Sequence, residues 1–119
     1  KAIVKIYPEL DGKLKAHAIR VPVVDGSLLD FTFTTKQASS IEAINNLFKN
    51  AAQSILKGTL EYTDAPIVSS DILGNQHGAI FDSQLTQSLG TTHRVCAWYD
   101  NEFGYASRMK EFLLHTAGE

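Results

Sequence analysis

The sequence predicts an α+β domain, a mainly antiparallel sheet with helices packed on one face. Three observations predict it. Apolar and polar residues alternate between Lys13 and Thr35, as they do in strands. From Ile41 to Ile55 the apolar residues switch to three- and four-residue spacing, the period of an amphipathic helix. The order of strand pair, helix, strands and helix then favours an antiparallel layer over a doubly wound parallel sheet. Length agrees with one domain: at 119 residues, 44% hydrophobic and 20% charged, the chain can build one core but not two complete domains.

Within Lys13 to Thr35 the pattern predicts two strands. In the first, His17, Ile19 and Val21 oppose Ala16, Ala18 and Arg20 across the pleat. In the second, Leu29, Phe31 and Phe33 alternate with Asp30, Thr32 and Thr34, giving one face to a core. Asp25-Gly26 between them suits a tight hairpin, because the turn needs positive φ. Pro22 has no amide hydrogen and marks an edge or bulge. Ser39 followed by Glu42 has capping-box spacing, so a helix should start there. Ile41, Ile44, Leu47, Phe48, Ala51, Ala52 and Ile55 form its apolar face, expected to pack on Leu29, Phe31 and Phe33, with Gly58 as the stop.

Between Leu60 and Leu89 short apolar pieces are broken by Asp64, Pro66, Gly74 and Gly78, predicting short strands and loops. Arg94 to Tyr99 reads as a further strand. Asp100 or Asn101 can cap a last helix over about 102–116 through Tyr105, Met109, Phe112 and Leu113, with Gly104 weakening its first turn.

Charge and cysteine content exclude several functions. Eleven basic against thirteen acidic residues give −2, too little field to favour nucleic acid or an anionic membrane. No apolar run approaches the roughly 20 residues of a membrane helix, and the start shows no signal-peptide pattern. The single Cys96 makes no internal disulfide, so a reducing, cytoplasmic location is expected. The chain begins at Lys1 and its one methionine is Met109, consistent with loss of an initiator or with a piece of a longer protein.

Candidate chemistry is sparse. His17, His77, His93 and His115 show no spacing that pairs them on a helix face, so no metal site is expected. Ser69, Ser70, Asp71 and His77 contain the residue types of a nucleophilic triad without its strand-turn-helix elbow. Cys96 sits mid-strand, where a small thiol usually packs as a hydrophobe, although Arg94 shares its pleat face. Arg20 is more informative, because two flanking alanines leave its guanidinium room to meet a phosphate or carboxylate. Trp98-Tyr99-Asp100-Asn101-Glu102-Phe103-Gly104-Tyr105 gathers four aromatic residues around an acid-amide-acid core. Asn101 there can meet a carboxamide, or simply cap the helix.

That octet resembles the signature near the C-terminus of the phosphorylating glyceraldehyde-3-phosphate dehydrogenases. Further blocks follow the family order: Pro8-Glu9-Leu10-Asp11-Gly12-Lys13-Leu14, Ala18-Ile19-Arg20-Val21-Pro22, Leu56-Lys57-Gly58, Tyr62-Thr63 and Val68-Ser69-Ser70-Asp71. Together they cover essentially the whole chain.

The resemblance implies the C-terminal portion of a dehydrogenase catalytic domain, residues 1–119, including the final helix. The Rossmann domain that binds NAD or NADP, the catalytic cysteine and its histidine base would all precede Lys1. No catalytic residue is therefore assigned here, and Cys96 matches no catalytic position. The family reaction adds a thiolate to the aldehyde, passes hydride to nicotinamide while a histidine takes the hydroxyl proton, and cleaves the thioester with inorganic phosphate. What remains by resemblance is binding. Arg20 matches the arginine that contacts substrate or attacking phosphate, Asn101 the asparagine that holds the nicotinamide carboxamide, and Tyr105 an aromatic residue near the nicotinamide. The implied partners are glyceraldehyde 3-phosphate, inorganic phosphate and further copies of the chain in a homo-tetramer. The isolated chain is expected to be inactive and not to bind the dinucleotide tightly.

Some positions depart from the family. Ala16 and His17 stand where glycine and methionine are usual, and Ala106 where a serine is common. Tyr105-Ala106-Ser107-Arg108-Met109 leans toward the erythrose-4-phosphate dehydrogenases, whereas Tyr99 favours the glyceraldehyde enzymes. Two alternatives follow: an erythrose-4-phosphate dehydrogenase fragment, and a non-enzymatic remnant kept as a dimerisation or binding module.

Overall fold

In the computed structural model, which describes residues 2–118, four strands form one sheet: β1 (Ser27–Thr34), β2 (Leu60–Thr63), β3 (Ala79–Leu89) and β4 (Thr92–Tyr99). Their spatial order is β1-β4-β3-β2. β4 lies antiparallel between β1 and β3, pairing Phe31 with Val95 on one side and Phe81 with Ala97 on the other. Gly90, at φ +60°, turns the tight connection from β3 to β4. β2 joins the other edge in parallel, Tyr62 opposite Phe81, so the sheet is mixed. A parallel pair cannot close through a hairpin, and the chain crosses instead through residues 64–78.

Helix α2 (Ile41–Gln53) covers one face of this sheet. Ser40 caps it by accepting from the Ala43 N–H at 3.2 Å. The cap is thus one residue later than the spacing of Ser39 and Glu42 predicts, and the Ser39 carbonyl accepts from Ser88 Oγ at 2.5 Å. Ile44, Phe81 and Val95 form the core, with Phe33, Phe48, Leu60 and Tyr62 packed around it. The Phe81 ring stacks between Phe48 at 4.3 Å and Tyr62 at 5.8 Å, measured between ring centroids. The helix therefore sits over β2 and β3 rather than over the expected Leu29, Phe31 and Phe33 face. Since β1 lies at the far edge, only Phe33 reaches the core; Leu29 and Phe31 stay exposed.

The first expected strand does not form. Residues 14–26 carry no ladder, and Ile19, Val21, Val23 and Val24 are exposed. Asp25-Gly26 makes no hairpin: Asp25 Oδ1 accepts from its neighbour's amide, Gly26 N–H, at 2.6 Å. Gly26 adopts φ +90° where a Cβ would lie 3.1 Å from the Ser69 carbonyl oxygen and 3.2 Å from Ile72 Cδ1. The glycine is thus used for close passage into β1, whose sheet partner is β4. Upstream, α1 (Ala2–Ile6) and a 3₁₀ turn at Pro8–Leu10 complete the N-terminal segment.

β3 is longer than its polar sequence predicts. Its ladder to β4 shifts register between Asp82 and Gln87, and that irregularity hides the alternation. Helix α3 (Phe103–Ala117) leaves the end of β4 without lying on the face that α2 covers. Arg108 ties it down, donating to Thr59 Oγ1 at 2.7 Å, while Glu111, one turn further along the same helix, accepts from it at 2.6 Å. Its apolar Tyr105, Met109, Phe112 and Leu113 remain exposed. Among the described residues, no helix is long and apolar enough to cross a membrane.

Candidate functional site

The end of β4 and the start of α3 are organised by one carboxylate. Asp100 is 4% exposed, and its Oδ1 accepts from the N–H groups of Phe103 at 2.6 Å and Glu102 at 2.9 Å. Two orphan amides of the first helical turn are thereby satisfied. Its Oδ2 accepts from Gly74 N–H at 2.9 Å, binding the 64–78 crossover to the same corner. Donation by Phe103 N–H, then by Gly74 N–H, holds the Asp100 carboxyl below its ordinary range, because each bond favours the anion. The N-cap position itself falls to Glu102, which makes no side-chain cap bond, so neither candidate read from the sequence occupies it; Asp100 holds the first amides from two residues upstream, and Asn101 takes no part in that clamp.

Asn101 turns toward β1. Ser27 Oγ donates to Asn101 Oδ1 at 2.8 Å, joining the first residue of β1 to the residue after the Asp100 clamp. Both line a concavity of about 190 Å³, together with Arg20, Val21, Asp25 and Glu102. The fold thus brings Arg20 and Asn101 to one place. Arg20 forms no ion pair among the described residues, and it sits in the ladder-free segment rather than on the strand expected for it. Its reach comes from that segment's path across the corner. Tyr105 is not part of this lining; it projects from the first turn of α3 and is 68% exposed.

Neither residue can perform bond-making chemistry. A guanidinium does not give up its proton, and a carboxamide is a poor base and nucleophile. The pair can bind and orient: Arg20 offers a planar fork to an anion, and Asn101 offers N–H donors to a carbonyl oxygen. The volume suits a ring or a small phosphorylated group, not a whole dinucleotide.

Other candidates have other occupations. Cys96 is fully buried, and burial, the largest influence on it, pushes its thiol up. The nearby Arg94 is held by Asp30 through two bonds of 2.8 Å, from Nε to Oδ1 and from Nη2 to Oδ2. The types of a Ser–Asp–His triad do not assemble. Asp71 Oδ2 accepts from Val68 N–H, while His77 Nδ1 lies 3.0 Å from Asn75 Oδ1 and 3.1 Å from Glu61 Oε2. His93 is buried between Thr35 and Ser88, each hydroxyl 2.9 Å from a ring nitrogen. His115 lies in the last turn of α3. Among the described residues, no three of His, Cys, Asp and Glu converge as a metal site would need. Ser27 is the site residue that sequence reasoning missed; a small hydroxyl at the start of a strand carries no signal of its own.

Comparison with known proteins agrees with the resemblance seen in the motifs. The family described as "Glyceraldehyde 3-phosphate dehydrogenase, C-terminal domain" matches residues 1–101. A "Glyceraldehyde-3-phosphate dehydrogenase" of Mycobacterium avium is 49% identical over 113 residues, 95% of this chain and 33% of the relative. One from Mycobacterium leprae is 47% identical with the same coverage. "Glyceraldehyde-3-phosphate dehydrogenase 1" of Streptomyces avermitilis is 45% identical over 114 residues, 96% of this chain and 34% of the relative. The chain spans about a third of the length of the curated relatives it matches. With this match over most of its length and an α+β fold that brings Arg20 and Asn101 to one concavity, the chain belongs to the glyceraldehyde 3-phosphate dehydrogenase C-terminal domain family.

Proposed function

We propose that this chain is the C-terminal part of the catalytic domain of an NAD(P)-dependent dehydrogenase that converts glyceraldehyde 3-phosphate and inorganic phosphate to 1,3-bisphosphoglycerate in glycolysis. The observation that carries the reading is the meeting of Arg20 and Asn101 in one concavity. Arg20 supplies the anion contact, where a planar guanidinium matches the phosphate of the substrate or the attacking phosphate. Asn101 orients the nicotinamide carboxamide, and Tyr105 stands near that ring in the intact protein. Nicotinamide, when bound, supplies the hydride acceptor. The residues of this chain bind and align, whereas the cysteine nucleophile and histidine base belong to the remainder of the protein.

The sheet face opposite α2 carries exposed Leu28 and the Asp30–Arg94 pair, and it supports assembly with further copies of the chain. In the intact protein, assayed for NADH formation with glyceraldehyde 3-phosphate and phosphate, Arg20→Ala raises the KM of substrate and phosphate while NAD affinity by calorimetry is unchanged. Equal loss of NAD affinity overturns the assignment. The 119-residue chain alone shows no turnover, and NADH formation by it would place the nucleophile inside this sequence.

A further inference from the structure

We propose that Asp25-Gly26 is a site of self-modification, at which the Gly26 amide closes on the Asp25 carboxyl and an isoaspartyl linkage replaces the ordinary one. The chemistry is independent of what the neighbouring concavity binds. Gly26 N–H donates to Asp25 Oδ1 at 2.6 Å, so the nucleophile and the carboxyl it would attack are already in contact. Among the described residues no other acceptor takes that N–H, and the sheet ladder begins only at Ser27. Residues 14–26 carry no ladder, so no ladder bond opposes rotation of the Asp25 backbone toward ring closure. Glycine adds no Cβ to hinder the approach. The other Asp-Gly pair, Asp11-Gly12, lacks these features. Among the described residues Gly12 N–H makes no bond to the Asp11 carboxylate, and Asp11 N–H is itself held by the Pro8 carbonyl oxygen at 3.1 Å.

The step needs no reagent except water. The Gly26 nitrogen bonds to Asp25 Cγ, its proton and the carboxyl hydroxyl leave as water, and a five-membered succinimide results. Water then adds at one of the two ring carbonyls. Addition at Cγ restores aspartate. Addition at the main-chain carbonyl carbon leaves Cβ and Cγ in the backbone and turns the former main-chain carboxyl into the side chain. Nothing is oxidised or reduced, and the main chain gains one methylene immediately before β1. Gly26 cannot absorb it, since a Cβ there would lie 3.1 Å from the Ser69 carbonyl oxygen and 3.2 Å from Ile72 Cδ1. The added length falls on the upstream segment, which carries Arg20, and Asp25 itself lines the concavity with Arg20 and Asn101. Conversion therefore displaces Arg20 from Asn101.

The test ages the intact dehydrogenase chain carrying this domain at physiological temperature and pH. Isoaspartate is counted by labelling with an isoaspartyl carboxyl methyltransferase and located by electron-transfer fragmentation in the mass spectrometer. In the native protein residue 25 is expected to convert about ten-fold faster than residue 11, and in guanidinium chloride, where only the shared Asp-Gly sequence remains, at a similar rate. Native conversion no faster at 25 than at 11 overturns the inference, as does a preference that survives unfolding. Asp25→Asn, whose leaving group is ammonia, should reach the same isoaspartyl product sooner, and an asparagine that stays unconverted also overturns it. NADH formation by the wild type should fall in step with conversion at residue 25, while Asp25→Ala should lose a smaller share of its own starting activity on ageing. Activity that holds while residue 25 converts overturns the displacement of Arg20.

Discussion

The carboxylate of Asp100 holds the backbone of Gly74 at 2.9 Å, across the corner where the crossover before β3 meets the start of α3. Its other oxygen holds Glu102 and Phe103, so one buried side chain joins the crossover to the first turn of α3 through three N–H groups. Asp100→Ala leaves these N–H groups without their acceptor and should cost about 2 kcal/mol in urea unfolding. Asp100→Asn should also destabilise, because an amide nitrogen facing one of these donors cannot accept from it.

The same residue sets a pH dependence. Its folded carboxyl titrates below the ordinary value of 3.8, since the donors favour the charged form. The stabilisation is therefore complete above that ordinary value and is lost as pH falls through the lower folded value. Thermal unfolding followed between neutral pH and pH about 2 should show this acid limb, and Asp100→Ala should flatten part of it.

Gly104 is required by a contact rather than by φ. A Cβ there would lie 2.8 Å from the His77 carbonyl oxygen, a backbone atom that cannot swing aside. The apparent weakness of this helical turn is what lets α3 approach the start of β3. Gly104→Ala should destabilise by about 1–3 kcal/mol despite the better helix propensity of alanine, and a stabilised variant in thermal denaturation would refute the contact.

Phe81, 1% exposed and stacked between Phe48 and Tyr62, is the centre of the core. Phe81→Ala should cost about 3–5 kcal/mol and Ile44→Val about 1 kcal/mol in chemical denaturation. Leu29→Ala should cost well under either value, because Leu29 remains 51% exposed on the edge strand.

Cys96 should be inert while the chain is folded. It is fully buried and burial raises its thiol, so little thiolate reaches solvent at neutral pH. Iodoacetamide followed by mass spectrometry should leave it unmodified in buffer and label it fully in urea. Rapid native labelling would show that the strand opens.

The sequence by itself determined the elements whose signals are local. The three- and four-residue spacing over Ile41 to Ile55 specifies α2, since a helix turns one face to the core every 3.6 residues. Alternation in Leu29 to Thr34 specifies β1 in the same way, and Asp100 announces the start of α3 because capping is a contact between near neighbours. The motif blocks from Pro8 to Tyr105 also carry the family without any knowledge of contacts.

Tertiary structure decided what depends on distant partners. The alternation around Ile19 and Val21 is as strand-like as that of β1, yet it forms no ladder even though β1 lies at the edge of the sheet, because an alternating pattern does not by itself bring a segment alongside a partner. Strand order, which is not a local property, moved the centre of the core from Phe31 to Phe81. The irregular register of β3 concealed its length for the same reason. Likewise, Ser27 gains meaning only because the sheet carries it to Asn101, a hydrogen bond across the fold that no spacing in the chain encodes.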